Sequence, residues 1–487
     1  MFGFKNSYRS ILTLDGHSFI IFIIVSRIQK ELNKYQKLLA HLFGLTQSRK
    51  IYLVGGTIRD IYLHRPPFDF DFAVPGSGLE LAKKFAHKIR GKFVLLSQKD
   101  DEARVVFKKK IFFDFAGIQG KTIQNDLKRR DFTINALAVP LKDGKVGEII
   151  DLFSGLAHLE KRLIVPVSEK SLTLDPLRIL RAFRFAQELN FKVSDKVIQL
   201  AQNLSLKKVA PERIGYELMR IMETKRSFWA IKTLADLTIL PQIFPEISDL
   251  FANPGLLNHS LMTYKKIEEL IEHKSFFSQF TKEFDAYFSS MPRRRALLKL
   301  AGLLHDIAKP HTQFATETGD VHFYGHDSLG AKIAEAMVMT RLRLARKEAL
   351  MIKKLIAYHM RLHLLATAPV LTDRAIRKFF RDLADEYFGL MILTFADGYA
   401  TAGKTVHLED TILRMIELKR QYDAKRKIAR LITGHDLIAL GLKPGPIFKT
   451  ILEELEELQV EGKIKTKEEG IEYLKVALQG LLEKEEK

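Results

Sequence analysis

The chain has 487 residues, 46% of them hydrophobic, enough to bury cores for roughly three or four domains. Lys and Arg outnumber Asp and Glu by 78 to 58, a formal net charge of +20 that favours a polyanionic partner, nucleic acid before any other. Cysteine is absent, which excludes disulfides and thiolate metal sites and fits a reducing, cytoplasmic setting.

The first element is "SFIIFIIVSR", with seven consecutive apolar residues from Phe19 to Val25. A bilayer span needs ~20, and no small-residue cleavage site follows, so neither a membrane anchor nor a leader is expected. Residues 1–27 read as an N-terminal extension. The next domain, 28–165, is expected to be an α+β head. "IYLV" from Ile51 predicts a strand, Gly55-Gly56 a turn, and a short helix follows through Arg59. "FDFDFAV" predicts a second strand and "LELAKKFAHKIR" an amphipathic helix. "KFVLL", "ARVVF" and "KIFFDFA" then predict three more strands of a small mixed or antiparallel sheet.

Residues two apart on a strand share a face, so Asp69 and Asp71 aim two carboxylates into one small space. Like charges held that close raise one pKa unless a cation lies between them. Asp114, in "IFFDFA", adds a third carboxylate from another strand. Glycines that follow a strand let backbone N–H groups approach a phosphate. Carboxylates on adjacent strands suit Mg²⁺, which takes octahedral oxygen ligands and accepts substrate phosphates among them. The combination fits metal-assisted phosphoryl or nucleotidyl transfer. A lone D-x-D is a weak signal. One embedded in apolar strand residues behind a Gly-Gly turn is much stronger.

After about Pro166 the strand signal ends and helices are expected throughout. "DPLRILRAFRFAQELNF", "SDKVIQLAQNL" and "APERIGYELMRIM" carry apolar residues at helical spacing. Loops are expected at "SSMPRRRA" and at the Gly-Asp turn near 319. The last segment, "GHDLIALGLKPGPIFKTILEELEEL", opens on a Gly/Pro turn and becomes a charged helix.

"VGGTIRD" with "FDFDF", "DLKRRDFTINALA" (126–138) and "DPLRILRAFRF" (175–185) resemble the successive motifs of class II tRNA nucleotidyltransferases and bacterial poly(A) polymerases. The likeness is strong over residues 50–235, and "TGHDLIALGLKPGPIF" is similar to the tail of that family. The resemblance implies a polymerase-β-like head, a helical neck at 166–235, a body at 236–405 and a tRNA-binding tail at 406–487. It implies template-independent addition of C, C and A, or part of that series, from CTP and ATP, to tRNA 3′ ends, with no DNA partner and no membrane. Asp69 and Asp71 would hold catalytic Mg²⁺, with Asp114 as helper. Gly55, Gly56 and Arg59 would line the nucleotide site.

In the neck, Asp175, Arg178, Arg181 and Arg184 recur at three-residue spacing along one winding helix face. A carboxylate accepts from the exocyclic amine of C or A, and a guanidinium donates to the ring nitrogen or carbonyl. U and G present an oxygen where the amine should be. Arg181, Arg184 and Arg130 would meet triphosphate charge. Asp175-Pro176 is equally an ordinary helix start, Asp as N-cap and Pro at the first position. Two departures from the family pattern stand out. Leu174 replaces a Glu, and only "FAGIQGKTIQN" separates Asp114 from Asp126. That short segment looks like enzymes that add only CC, or like divergent lineages. The "GRRF"-like element of poly(A) polymerases is replaced by "ARVVFKKK".

A second constellation lies in the body. His259, His305-Asp306 of "LAGLLHDIAKP", His326, His359 and Asp397 follow the order of the metal ligands in HD-type phosphohydrolases. Imidazoles and carboxylates together suit Mn, Fe, Ni, Co or Mg. Some relatives use such a domain to trim phosphate or cyclic phosphate from tRNA ends; in others it is a scaffold. Two further readings are a poly(A) polymerase acting on general RNA ends and an HD phosphohydrolase whose head only binds RNA.

Overall fold

A computed structural model describes residues 16–485 apart from 48, 68, 426–429 and 461. Residues 1–15 of the expected extension and Phe68 of the second strand lie outside the described residues. The described chain divides into two compact units. One runs to Leu257 and includes Ile333–Ala349; the other comprises Asn258–Lys332 and the chain from Leu350 onward.

The first unit is built on a sheet of eight strands: β1 (Ile51–Val54), β2 (Asp69–Val74), β3 (Lys92–Ser97), β4 (Glu102–Phe107), β5 (Ile111–Gly117), β6 (Leu137–Lys142), β7 (Lys145–Val146) and β8 (Ile150–Asp151). Their order is β3-β4-β5-β2-β1-β6-β7, with β8 paired to β6. Only β2 and β5 run parallel; the other pairs are antiparallel. All the predicted head strands are present. Strand β6 carries Pro140 opposite Tyr52, and a proline inside a strand weakens the pattern by which one is recognised.

The two-residue period of β2 and β5 divides their side chains sharply. Phe70 stacks on Phe113 and Phe72 on Phe115, at 5.6 and 5.3 Å between ring centres. The Phe85 ring, from the helix Gly78–Ile89, meets Phe113 and Phe115 edge-on. All five rings are buried. Asp69, Asp71 and Asp114 take the alternate positions, so their side chains leave on the opposite face.

The helix Gly16–Asn33 runs without interruption through the expected boundary at residue 27. Ile24, Ile28 and Leu32 are buried, four residues apart on one face. Gln29 donates to Gly144 O at 3.1 Å and accepts from Val146 N–H at 3.1 Å, which ties the helix to the β6–β7 turn. The apolar run therefore belongs to a helix that packs on the head. Among the described residues no helix is long and apolar enough to cross a membrane.

The neck helices appear as Arg178–Leu189, Asp195–Ala201 and Pro211–Glu223. The expectation of no further strand is corrected twice. Strand β9 (Leu163–Ile164) pairs in parallel with β10 (Lys192–Val193), and β11 (Gln313–Ala315) forms a hairpin with β12 (Val321–Phe323). Two- and three-residue strands are too short to display a period.

The second unit is helical apart from that hairpin. Its core gathers Phe277, Phe388 and Phe395, with Phe277 meeting the other two rings edge-on at 5.6 and 5.4 Å. The helix Tyr387–Ala402 is buried from Phe388 to Gly398, a stretch that carries Asp397.

Replacing the fully buried Ile28 by Ala should lower stability by about 2–5 kcal/mol, as for other large-to-small core changes. Denaturant unfolding checks this, and an unchanged midpoint would show that the helix does not pack on the head.

Candidate functional site

In the head, β1 ends in a turn that only glycine adopts readily. Gly55 has φ +65° and ψ −127°, and a Cβ there would stand 2.7 Å from Arg130 Nη1 and 3.7 Å from Asp71 Oδ2. A Cβ on Gly56 would meet Arg59 Nη2 and Asp71 Oδ2, each at 3.4 Å. The turn, both arginines and Asp71 therefore occupy one small volume. Thr57 fastens the turn to β2: its hydroxyl accepts from Asp71 N–H at 2.9 Å and donates to Asp69 O at 3.1 Å.

Strand register brings in the third carboxylate, since Asp71 and Asp114 are direct partners in the parallel pair. Arg104, opposite Asp114 on β4, grips it with two hydrogen bonds of 2.8 and 2.7 Å. Burial and then the charge of Asp114 push Asp71 up to about 6, against the opposing pull of Arg130 and Arg59. Asp69 is also raised, by burial first, with Arg104 opposing and Asp114 adding. Asp69 and Asp71, with Asp114 beside them, form a pocket suited to a cation.

The "RRDFTIN" segment and the neck form one continuous polar network. Arg59 donates to Asn135 Oδ1 at 2.7 Å, and Asn135 donates to Asp131 Oδ1 at 3.1 Å. Asp131 Oδ2 accepts from Arg181 Nε and Nη2 at 3.0 and 2.7 Å. Burial alone would raise the Asp131 pKa, but Arg181, Asn135 and the Phe132 N–H together hold it below the usual carboxylate value. Arg178 is held by three backbone carbonyls, of Arg130, Ser171 and Arg129, at 2.9–3.1 Å. The ring of Phe185 lies beneath the guanidinium groups of Arg59, Arg181 and Arg184, at 5.2, 5.4 and 4.2 Å.

One neck expectation changes. Asp175 is not on the helix, which begins at Arg178; it lies in extended backbone after Glu169–Leu174. Its carboxylate accepts from Leu177 N–H at 3.3 Å and pairs with Arg213 at 2.7 Å, so it caps a turn rather than the helix. Arg184 is buried and paired with Glu217 at 2.5 Å and Glu188 at 2.9 Å. Leu174, which replaces the family's Glu, is exposed, while Asp131 and Glu217 support the arginines.

The second unit brings all six predicted residues of the other constellation together. His259 Nε2 lies 2.9 Å from Asp397 Oδ1 and 3.4 Å from Asp306 Oδ2; His305 Nε2 lies 3.3 Å from the same Asp306 oxygen. His326 and His359 face the other oxygen, Oδ1, at 3.5 and 3.7 Å. Asp306 therefore stands between two triads, His259–His305–Asp306 and Asp306–His326–His359, each with ligand atoms gathered within 4.8 Å.

Backbone carbonyls set the tautomers. Nδ1 of His305, His326 and His359 lies 2.8, 2.6 and 2.7 Å from the carbonyls of Gly302, Phe323 and Ile356. A carbonyl only accepts, so each Nδ1 carries the proton and each neutral ring turns an Nε2 lone pair inward. Yet Nε2 atoms face each other at 3.2 Å in His259–His305 and 3.1 Å in His326–His359. Both oxygens of the buried Asp306 lack a well-formed hydrogen bond, although Lys309 Nζ lies 2.5 Å from Oδ2. Lone pairs converging beside a buried carboxylate are what a cation would resolve. Without one, Asp306 and Asp397 overcome burial and raise His305 to about 10, while burial and the charge on His305 lower His359 to about 4.

Sequence reasoning missed Thr57, Arg104, Asp131, Asn135 and Glu217 in the first unit, and Lys309 and His363 in the second. The position of His363, one helical turn after His359, was a readable signal; its Nε2 lies 3.0 Å from Asp397 Oδ2.

Comparison with known proteins places these sites in a family. Residues 51–165 match the family described as "Poly A polymerase head domain", residues 256–402 the "HD domain", and residues 407–474 a tRNA nucleotidyltransferase domain family. The CC-adding tRNA nucleotidyltransferase of Geobacter sulfurreducens is 31% identical, over 87% of this chain and 91% of that protein. The chain belongs to the tRNA nucleotidyltransferase family. The A-adding tRNA nucleotidyltransferase of Deinococcus radiodurans is 29% identical over 86% of this chain and 93% of its own. The fold agrees with that of the Thermotoga maritima CCA-adding enzyme complexed with tRNA, at a TM-score of 0.63 and 23% identity over 93% of this chain and 98% of that one. As a member of the family, this tRNA nucleotidyltransferase is an enzyme of nucleotide addition at tRNA 3′ ends, with a polymerase head followed by a helical body.

Asp131→Asn should cost about 2–3 kcal/mol at neutral pH, because it strips a partly buried guanidinium of its carboxylate. The Asp131 pKa is depressed in the folded state, so its contribution is present above the unfolded value near ~4 and fades as pH falls further. Unfolding curves of wild type and variant should thus differ at pH 7 and converge in acid; a constant gap would remove the ion pair as the cause.

Proposed function

We propose that this chain adds C, A or both to tRNA 3′ ends, with CTP and ATP as donors and Asp69, Asp71 and Asp114 as the carboxylates of the transfer site. The observation that carries this reading is the shared face of the three acids, beside the Gly55-Gly56 turn, with Arg59 and Arg130 against it. When bound there, Mg²⁺ supplies activation of the attacking hydroxyl and charge neutralisation of the leaving pyrophosphate. Arg59 and Arg130 place positive charge where the phosphates would lie. Their own bonds to Asp60, Asn135 and Asp126 hold them there before substrate arrives.

Base choice is assigned to Asp175 and Arg178. Three of the five N–H groups of Arg178 are engaged by carbonyls, leaving Nε–H and one Nη2–H to meet a base edge. Asp175, oriented by Arg213, supplies the acceptor for an exocyclic amine. Addition of CC alone is favoured by the short segment after Asp114, which is tightly tied: Gln119 N–H donates to Asp126, and Asn125 donates to Gly120 O at 2.8 Å.

Asp69→Ala and Asp71→Ala should abolish addition to tRNA while binding to tRNA survives; near-normal turnover at saturating Mg²⁺ would refute the assignment. Asp175→Ala should raise UTP or GTP incorporation relative to CTP and ATP. A purely structural role predicts a loss of roughly 1 kcal/mol with selectivity intact. Transcripts ending before CCA, after one C and after CC, offered CTP or ATP singly, identify the bases added. Equal extension of unstructured RNA would move the reading to a poly(A) polymerase.

The second cluster is read as a divalent metal centre for phosphate-ester hydrolysis, held by His259, His305, Asp306, His326, His359 and Asp397. Mixed imidazole and carboxylate donors suit Mn, Fe, Ni or Co as well as Mg. A bound ion there supplies activated water. Metal analysis should find an ion in wild type and none after His305→Ala with Asp306→Ala, while nucleotide addition persists. Failure to take up micromolar Mn²⁺, Ni²⁺ or Co²⁺ would reduce the body to a scaffold.

A further inference from the structure

Arg104 reaches the three acids of the head from the side away from the glycine turn. The strand order β4-β5-β2-β1 sets the polar groups in a row across one face. Arg104 lies on β4, Asp114 on β5, Asp69 and Asp71 on β2, and the Gly55-Gly56 turn with Arg59 and Arg130 against it follows β1. Neighbouring strands are ~4.8 Å apart, so β4 runs about 10 Å from β2 on the side opposite β1.

The Arg104 guanidinium is fixed before any ligand arrives. Its Nε and Nη2 donate to Asp114 Oδ1 and Oδ2 at 2.8 and 2.7 Å, and it lies 4.9 Å from the centre of the Phe112 ring. These bonds use two of its five N–H groups; among the described residues the other three meet no partner. Each Asp114 oxygen keeps a second lone pair, so the fork does not shut a cation out of the acids. Both side chains are partly exposed, 34% for Arg104 and 21% for Asp114, which leaves the pair within reach of a ligand. The same hairpin is basic at its tip: Lys108, Lys109 and Lys110 make the β4–β5 turn, and all three are exposed. Lys108 is four residues from Arg104, about 13 Å along the strand.

We propose that Arg104 receives the last phosphodiester of the acceptor RNA strand and so brings its 3′-hydroxyl to Asp114, with the lysine turn meeting phosphates further upstream. The proposal rests on the reading of Asp69, Asp71 and Asp114 as the transfer site. In nucleotidyl transfer the attacking and leaving oxygens lie roughly in line across the reacting phosphorus. On that reading Arg59 and Arg130 hold the triphosphate beside β1, so pyrophosphate departs on that side. The attacking hydroxyl must then come from the side of β5 and β4, where Arg104 stands. A planar fork already held by a carboxylate and a ring loses little freedom when it takes a phosphate.

The test uses the full chain, in the absence of CTP, and two acceptors. One is a tRNA ending before CCA; the other is the same tRNA with an uncharged methylphosphonate as its last internucleotide linkage. Wild type should bind the second roughly tenfold more weakly, the loss of one charge-assisted contact. Equal binding overturns the proposal without any variant, so a folding defect cannot hide the result. Arg104→Gln should bind both RNAs alike, at the weaker value, with a slope of log K against log salt shallower by about 0.7–0.9. Arg104→Lys keeps the charge and should recover most of that slope. In steady state Arg104→Gln should raise KM for tRNA and leave KM for CTP unchanged; the reverse pattern assigns Arg104 to the triphosphate and overturns the proposal. Asp71→Ala separates the two readings. Normal addition by that variant removes the transfer site, whereas an inactive Asp71→Ala beside wild-type discrimination by Arg104→Gln removes the acceptor contact alone.

Discussion

The buried carboxylate of Asp131 is the constraint on which the head and neck depend. It sits in low dielectric, where an unpaired charge is costly, and it is satisfied from two directions. Asn135 and the Phe132 N–H come from its own segment; Arg181 comes from the neck helix. From there the chain of contacts runs outward. Asn135 fixes Arg59 at the glycine turn, and Arg181 and Arg184 share Glu217 on the next neck helix. Each guanidinium in the series is oriented by a neighbouring acid or amide before a nucleotide is present. Such preorganisation suits a site that is to recognise negative charge.

The sheet solves a second problem with the same economy of position. β2 and β5 place phenylalanines on one face and aspartates on the other. The four stacked rings then make the strands rigid at the points where the acids need fixed separation. A one-residue slip of β2 would turn Asp69 and Asp71 into the core, and one of β5 would bury Asp114. Core packing and site register are therefore one requirement, and Arg104 neutralises the acid that the parallel pairing brings closest to Asp71.

Legibility in the sequence followed from how local each feature is. The head strands were readable because "FDFDFAV" and "KIFFDFA" alternate cleanly, and the glycine turn because Gly55-Gly56 follows a strand directly. The two-residue strands β9 and β10 have no period to read, and Pro140 obscures β6. In the site, residue types with one common use were found: paired aspartates and an ordered His/Asp set. Residues whose role is to hold another side chain were not, because Glu217, Asn135 and Thr57 are ordinary until the fold supplies their partners. Helical spacing wrongly put Asp175 on the neck helix, since Pro176 follows it and the residue before a proline is driven out of the helical region.

The two constellations differ in donor chemistry, and on the proposed reading that difference keeps their metal ions apart. The head offers oxygen alone, from three carboxylates softened by Arg104, Arg59 and Arg130. Such a set suits a hard cation whose coordination substrate phosphates complete. The body offers four imidazoles around two carboxylates, with three Nδ1 protons anchored to backbone carbonyls so that the Nε2 lone pairs cannot turn away. Nitrogen-rich donors fixed in this way favour later first-row ions over Mg²⁺. A cation that fits the body is thus chemically disfavoured by shortage of nitrogen in the head, while Mg²⁺, reluctant to shed water, gains little from imidazoles. On that reading, the separation of addition from hydrolysis begins with the ligands themselves.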